Sequence, residues 1–176
     1  MASGLIFDPI KILRVAPLLT TTSSLVYAWD EHWYLSGFLH SNTKHETEIE
    51  KIFPTYFRRF FEKGIFVLLG TGAITISTSI GNLFSLNDNG GGLAPDSSSR
   101  LFYWAGLGFT LAHFLFVPVI AYPIRDIVED RRDSTGKSTV IGNLKKWLDI
   151  HRVRTLLADF PAWLSFLGGL LLSVKV

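Results

Sequence analysis

Leu101–Tyr122 reads LFYWAGLGFTLAHFLFVPVIAY, twenty-two residues without a permanently charged side chain. At about 1.5 Å of rise per residue, a helix of this length just crosses the hydrocarbon core of a bilayer. The run therefore predicts a membrane span, and with it a helical fold, because a helix satisfies its own backbone polar groups in lipid. His113 stands near its middle, and a polar ring in a span is expected to face the protein interior.

Three further segments extend the pattern. Ile65–Gly81 is apolar and rich in small residues, with Gly64, Gly70 and Gly72 permitting close helix contact. Residues 155–174 are about one span long, interrupted only by Asp159 and Pro161. The weakest is Val15–Ala28, VAPLLTTTSSLVYA, whose hydroxyls can bond back to helix carbonyls. Its length also suits a cleavable signal, with Lys11 and Arg14 before the apolar run and Val26-Tyr27-Ala28 as the cleavage site. Four spans, at about 15–28, 65–81, 101–122 and 155–174, make one transmembrane domain of residues 1–176: an all-α, integral membrane four-helix bundle. The composition agrees, with 48% hydrophobic residues and a mean hydropathy of +0.30. No cysteine is present, which excludes thiolate nucleophiles and Cys-based metal sites.

Loop charges give the bundle a direction. Thirteen of the seventeen Lys and Arg fall in segments 29–64 and 123–154. The positive-inside rule puts both loops in the cytoplasm, with the termini and the Asn/Gly/Ser loop 82–99 on the other side, in an internal membrane such as the endoplasmic reticulum. Between the first two spans, Ile49, Ile52, Phe53, Tyr56, Phe57, Phe60 and Phe61 repeat at helical spacing opposite a charged face. This predicts a cytoplasmic-side amphipathic helix that starts or kinks at Pro54. It would anchor to the membrane surface or cap the mouth of the bundle.

The residues able to do chemistry cluster near that mouth. In Lys146–Trp163, KWLDIHRVRTLLADFPAW, helical spacing aligns Trp147, His151, Arg154 and Ala158 on one stripe, and Leu148, Arg152, Thr155 and Asp159 on the next. An arginine suits an anionic oxygen, a histidine moves protons near neutral pH, and a tryptophan stacks on a ring. The rival reading is an interfacial belt of Trp and snorkelling Arg. Asp159, inside a span, is expected to pair with Arg or His, or to accept a proton. At the end of the third span, VPVIAYPIRDIVEDRRD carries Tyr122, Pro123 and Arg125. Its two prolines predict a broken helix end near the Pro123–Arg125 segment, and Arg125–Glu129 forms an attractive i, i+4 pair. At the first span's boundary, AWDEHWYLSGFLH brings Trp29, His32, Trp33 and His40, with His32 facing the same entrance as His151. No metal-ligand spacing, Rossmann glycine pattern, phosphate loop or nucleic-acid motif appears, and Asn89–Gly92 reads as a flexible turn.

Four short spans, the Trp147-x3-His151-x2-Arg154 stripe and the break ending the third span resemble the anthrone-oxygenase-like family of small membrane proteins. The fungal branch is similar also in Pro54-Thr-Tyr-Phe-Arg-Arg-Phe-Phe61 and Ser99-Arg-Leu-Phe-Tyr-Trp-Ala-Gly106. The resemblance implies an enzyme of aromatic polyketide biosynthesis that oxidises an anthrone with O2 and without flavin, haem or metal. It implies roles for Trp147, His151 and Arg154, and for His113 by its position. Pro123-Ile-Arg125-Asp126 departs from the Asn-containing motif of those oxygenases, so the branch is expected to use the pocket for another lipophilic metabolite.

These readings give a cofactor-independent, monooxygenase-like enzyme as the first expectation. Its catalytic candidates are His113, His151 and Asp159; its substrate-binding candidates are Trp104, Trp147, Arg154, Arg125, Tyr122 and His32, with no metal. The alternatives are an isomerase or cyclase of a lipophilic intermediate using His113 and Asp159 as acid and base, and a membrane scaffold for soluble biosynthetic enzymes. The expected partners are a hydrophobic small molecule and the lipid bilayer, with a homo-oligomer or partner enzymes as further options and no nucleic acid.

Overall fold

The computed structural model describes residues 9–39, 46–84 and 98–173. His40 and the Asn89–Gly92 turn lie outside the described residues. Six helices follow in order: α1 Pro9–Ser36, α2 Glu46–Phe84, α3 Ser98–Leu115, α4 Val117–Val128, α5 Val140–Arg154 and α6 Phe160–Ser173, with a π turn at Thr155–Asp159 joining the last two. A short 3-10 turn, Gly37–Leu39, follows α1. The described residues contain no strand beyond one isolated bridge between Arg132 and Ser138.

Among the described residues, three stretches are long and apolar enough to cross a membrane: Glu46–Phe84, Ser98–Val128 and Val140–Ser173. They cover the expected second, third and fourth spans. The expected first span lies within α1, 28 residues long, but its hydroxyls keep it out of that apolar class. Those hydroxyls are occupied locally: Thr20, Thr21, Thr22 and Ser23 each donate to the carbonyl four residues back. They also make a seam with α2, where Thr20 Oγ1 meets Thr75 Oγ1 at 2.6 Å and Ser24 donates to Thr71 at 3.1 Å. The seam packs α1 against α2.

Two expectations about proline are corrected. Pro54 does not start a helix: α2 begins at Glu46 and runs through it. Phe53 and Phe57, on the apolar face, are fully buried against Leu35, Ile127, Leu144 and Trp147. Ile49, Phe60 and Phe61 of the same face are partly buried against that cluster, while Ile52 and Tyr56 are exposed. Likewise, Pro123 does not break the third span. The break falls at Phe116, between α3 and α4, because Pro118 has no N–H for the carbonyl of Phe114. Helix α4 restarts with Pro118 in its first turn, where a missing N–H costs nothing. It then runs through the buried Pro123 to Val128.

At one end of the bundle the helices close tightly. Leu83, Tyr103, Leu107, Ala162 and Phe166 form one apolar cluster. Gly106 makes it possible: a Cβ there would stand 2.6 Å from Phe166 Cε1. Ser99 donates to the Gly169 carbonyl at 2.7 Å, Tyr103 to that of Arg14 at 2.6 Å, and Asn82 to that of Leu13 at 2.6 Å.

Candidate functional site

At the other end the helices part around a cavity of about 520 Å³. Its wall is apolar over most of its area, contributed by Leu68, Phe116, Val117, Ile120 and Ile124 among others, and Arg58, Glu62 and Arg125 also line it. Volume and lining suit an organic molecule with a few oriented polar groups.

Along one side runs a continuous polar strip. His113, in the last turn of α3, bonds through Nδ1 to Asp159 Oδ1 at 2.6 Å. The other oxygen of Asp159 accepts from Arg154 Nε at 3.3 Å. Arg154 also donates from its terminal nitrogen to His151 Nδ1 at 3.0 Å, and His151 Nε2 lies 3.0 Å from the Ala28 carbonyl. An arginine can only donate and a carbonyl only accept, so His151 is neutral, with its proton on Nε2. Its contact with Glu31 Oε2 at 3.8 Å is accordingly not an ion pair. His151 is 1% exposed and holds Arg154 in place instead of facing the cavity. His113, by contrast, lines the cavity, and its Nε2 has no hydrogen-bond partner among the described residues.

The π turn makes this strip. In a regular α-helix, residues five apart point in directions about 140° apart, and Arg154 and Asp159 would not meet. Here the Phe160 N–H donates to the Thr155 carbonyl five residues back, which widens the turn and swings Asp159 under Arg154. Pro161 favours the irregularity, since it has no N–H for the regular bond to Leu157. Such single π turns occur frequently at functional sites.

Trp147 stacks on His151, with ring centroids 5.0 Å apart and planes at 21°, and meets Phe57 edge to face. It lines the cavity, and its buried Nε1–H has no hydrogen-bond partner. The remaining candidates separate into two groups. Arg125 lines the cavity and lies over the Tyr122 ring, 5.5 Å from its centroid; its expected partner Glu129 pairs instead with Arg131 at 2.7 Å. Tyr122 and Trp104 are exposed, and neither belongs to the cavity wall. Trp104 packs edge-on against Phe84. His32 accepts from Arg152 at 3.2 Å in a separate shallow cleft beside Trp29 and Trp33. Partial burial and the Arg152 guanidinium hold its pKa below the ordinary value.

Two wall residues escaped the sequence reading. Glu31 and Tyr27, one helical turn apart on α1, both line the cavity. Both face the bare Cα of Gly64, where a Cβ would stand 2.5 Å from the Tyr27 hydroxyl and 3.7 Å from Glu31 Oε1. The i, i+4 spacing was the available signal, hidden in a segment dominated by Trp and His. Behind His113 and Asp159 lies a second chamber of about 40 Å³, bordered by Thr21, Thr71, Thr75 and Thr110. No group of three or more His, Asp or Glu suited to a metal ion occurs among the described residues.

No protein-family model matches the chain. It is similar along nearly its whole length to fungal proteins. Against Epoxidase gkaX of Penicillium citrinum it is 26% identical over 158 residues, covering 90% of this chain and 92% of that protein. Against Epoxidase pydX of an Acremonium species it is 25% identical over 168 residues, covering 96% and 98%. Against Oxaleimides biosynthesis cluster protein N of Penicillium oxalicum it is 26% identical over 172 residues, covering 94% and 92%. No solved structure matches. The likeness is to named epoxidases and a biosynthesis-cluster protein of fungi; the expected anthrone substrate has no counterpart in these names.

Proposed function

We propose that this chain is a membrane oxygenase of the epoxidase type, acting on a carbon–carbon double bond of a lipophilic biosynthetic intermediate. The observation that carries the reading is a 520 Å³ apolar cavity with His113 on its wall, oriented by Asp159, which is itself anchored to Arg154. The names of the full-length relatives support the class of chemistry. In this reading α1 completes a four-span bundle in an internal membrane, with the basic loops on the cytoplasmic side.

Asp159 takes the Nδ1–H of His113 and leaves Nε2 as the base. Removing an acidic proton from the substrate gives a carbanion that itself reduces O2, in the cofactor-free form the resemblance implies. The hydroperoxide so formed passes its outer oxygen to the double bond and keeps the inner one as a hydroxyl. Arg154 stabilises the developing negative oxygen, and Trp147 Nε1–H offers a second donor.

The test uses vesicles carrying the full chain, supplied with ¹⁸O2 and a conjugated lipophilic alkene bearing an acidic C–H. Labelled epoxide and O2 uptake are expected, both reduced about 100-fold or more in His113→Ala and Asp159→Asn. Unlabelled product, or normal turnover in His113→Ala, defeats the reading.

A further inference from the structure

That reaction uses His113 and Arg154 but leaves Glu31, Tyr27 and the small chamber idle. Glu31 stands at the far end of the polar strip from His113. The strip holds one guanidinium, and its bonds go to Asp159 and His151. Asp159 is thus the ionised carboxyl, with Arg154 and His113 on its two oxygens. His151 is neutral, so Glu31 has the Tyr27 hydroxyl beside it but no cation bonded to it. An unpaired carboxylate on an apolar wall is costly, and the group lowers that cost by keeping its proton. A neutral carboxylic acid then faces the cavity at one end of the strip, with an oriented imidazole at the other. Beside the imidazole lies the 40 Å³ chamber, which has room for a water molecule and several polar neighbours to hold one. Its threonines Thr21, Thr71 and Thr110 donate to carbonyls a turn back, so they offer lone pairs to a water's protons.

An acid, a base and a place for a water make a complete set for a reaction without redox change. The geometry points to a second activity in the same cavity: hydration of an epoxide to a diol, with Glu31 as proton donor and the water beside His113 as nucleophile. Glu31 gives its proton to the epoxide oxygen. The C–O bond breaks with its electron pair going to that oxygen, which becomes a hydroxyl. The water oxygen bonds to the freed carbon while His113 Nε2 takes the released proton. One water is added overall and no electrons are exchanged; His113 then loses its proton to solvent at the cavity mouth, and Glu31 regains one there. The inference takes from the proposed function only the kind of electrophile, and its chemistry needs no O2.

The experiment therefore runs under argon. The full chain in phosphatidylcholine vesicles is given trans-stilbene oxide in H2¹⁸O. Diol carrying one ¹⁸O is expected, formed at least tenfold more slowly by Glu31→Gln and partly restored in Glu31→Asp. Infrared difference spectra at pH 7 between wild type and Glu31→Gln should show a protonated carboxyl band lost with the substitution, a readout that needs no substrate. No diol from the wild type, equal rates in Glu31→Gln, or an ionised Glu31 overturns the inference. Failure of the ¹⁸O2 experiment with diol formation intact removes the oxygenase reading alone, and the converse result removes only the hydrase.

Discussion

The two ends of the bundle use the same helices to opposite effect. Around Gly106, Tyr103 and Phe166, α3 and α6 press together with bare backbone between them. A few turns further on, α1, α2, α4 and α5 surround a cavity that α3 reaches with His113. The difference comes from two local breaks at one level, the interruption at Phe116 before Pro118 and the π turn before Pro161. Each follows from a proline's missing N–H; the first ends α3 just after His113, and the second swings Asp159 toward it. Close packing at one end supplies the fixed frame; irregular backbone at the other supplies the site.

The strongest challenge is Arg154→Met. It leaves Asp159 buried without its cation, and loss of one partner of a buried pair costs about 3–5 kcal/mol. Thermal unfolding in detergent should show the fall, and adding Asp159→Asn should recover much of it. Next, Gly106→Ala drives a methyl into Phe166. It should destabilise by about 1–3 kcal/mol, while activity per folded molecule stays near wild type, since the closed end holds no site residue. Normal stability would mean that the two helices can part there at little cost. A smaller stability effect is expected of Pro161→Ala, below about 1 kcal/mol and of either sign. By supplying an N–H for Leu157 it favours regular helix, so turnover should drop while the melting temperature barely moves; unchanged turnover would show that the π turn has causes besides Pro161.

The slightest effect belongs outside both ends, in the hairpin after α4. Asp133 accepts from the Thr135 hydroxyl at 2.6 Å and from the N–H groups of Thr135 and Lys137. The Thr135 hydroxyl first, and then those N–H groups, hold its carboxyl below the usual range. Its folded-state pKa is depressed, so the local stabilisation is present above the unfolded value near 3.9 and is lost as pH falls through the folded one. Amide exchange at Thr135 and Lys137 should speed up in that acid window, and at neutral pH in Asp133→Ala, with the cavity and its activity unaffected.

How much of this was legible in the sequence depends on whether regular helix geometry applies. The apolar runs gave the spans of α2, α3 and α6, and the Trp147–His151–Arg154 stripe is present as spaced. The same geometry set Asp159 on a different stripe from Arg154, because a π turn leaves no periodic mark. The prolines announced irregularity but not its site: Pro54 and Pro123 lie inside helices, while Pro118 and Pro161 follow the breaks. Trp104 and Tyr122 carried the right chemistry and yet face outward, since composition alone does not say which side of a greasy helix is inside. Glu31 was passed over because its neighbours matched a membrane-interface belt.

The hydroxyl run on α1 carries a consequence for biogenesis. A helix with five consecutive hydroxyl residues inserts poorly by itself, and its polar seam is completed by Thr71 and Thr75 of α2 and by Trp163 of α6, which donates to Thr22 at 2.9 Å. In the four-span reading proposed above, the first helix settles only once its later partners have left the ribosome. Tyr27, Glu31 and the Ala28 carbonyl that orients His151 arrive with it.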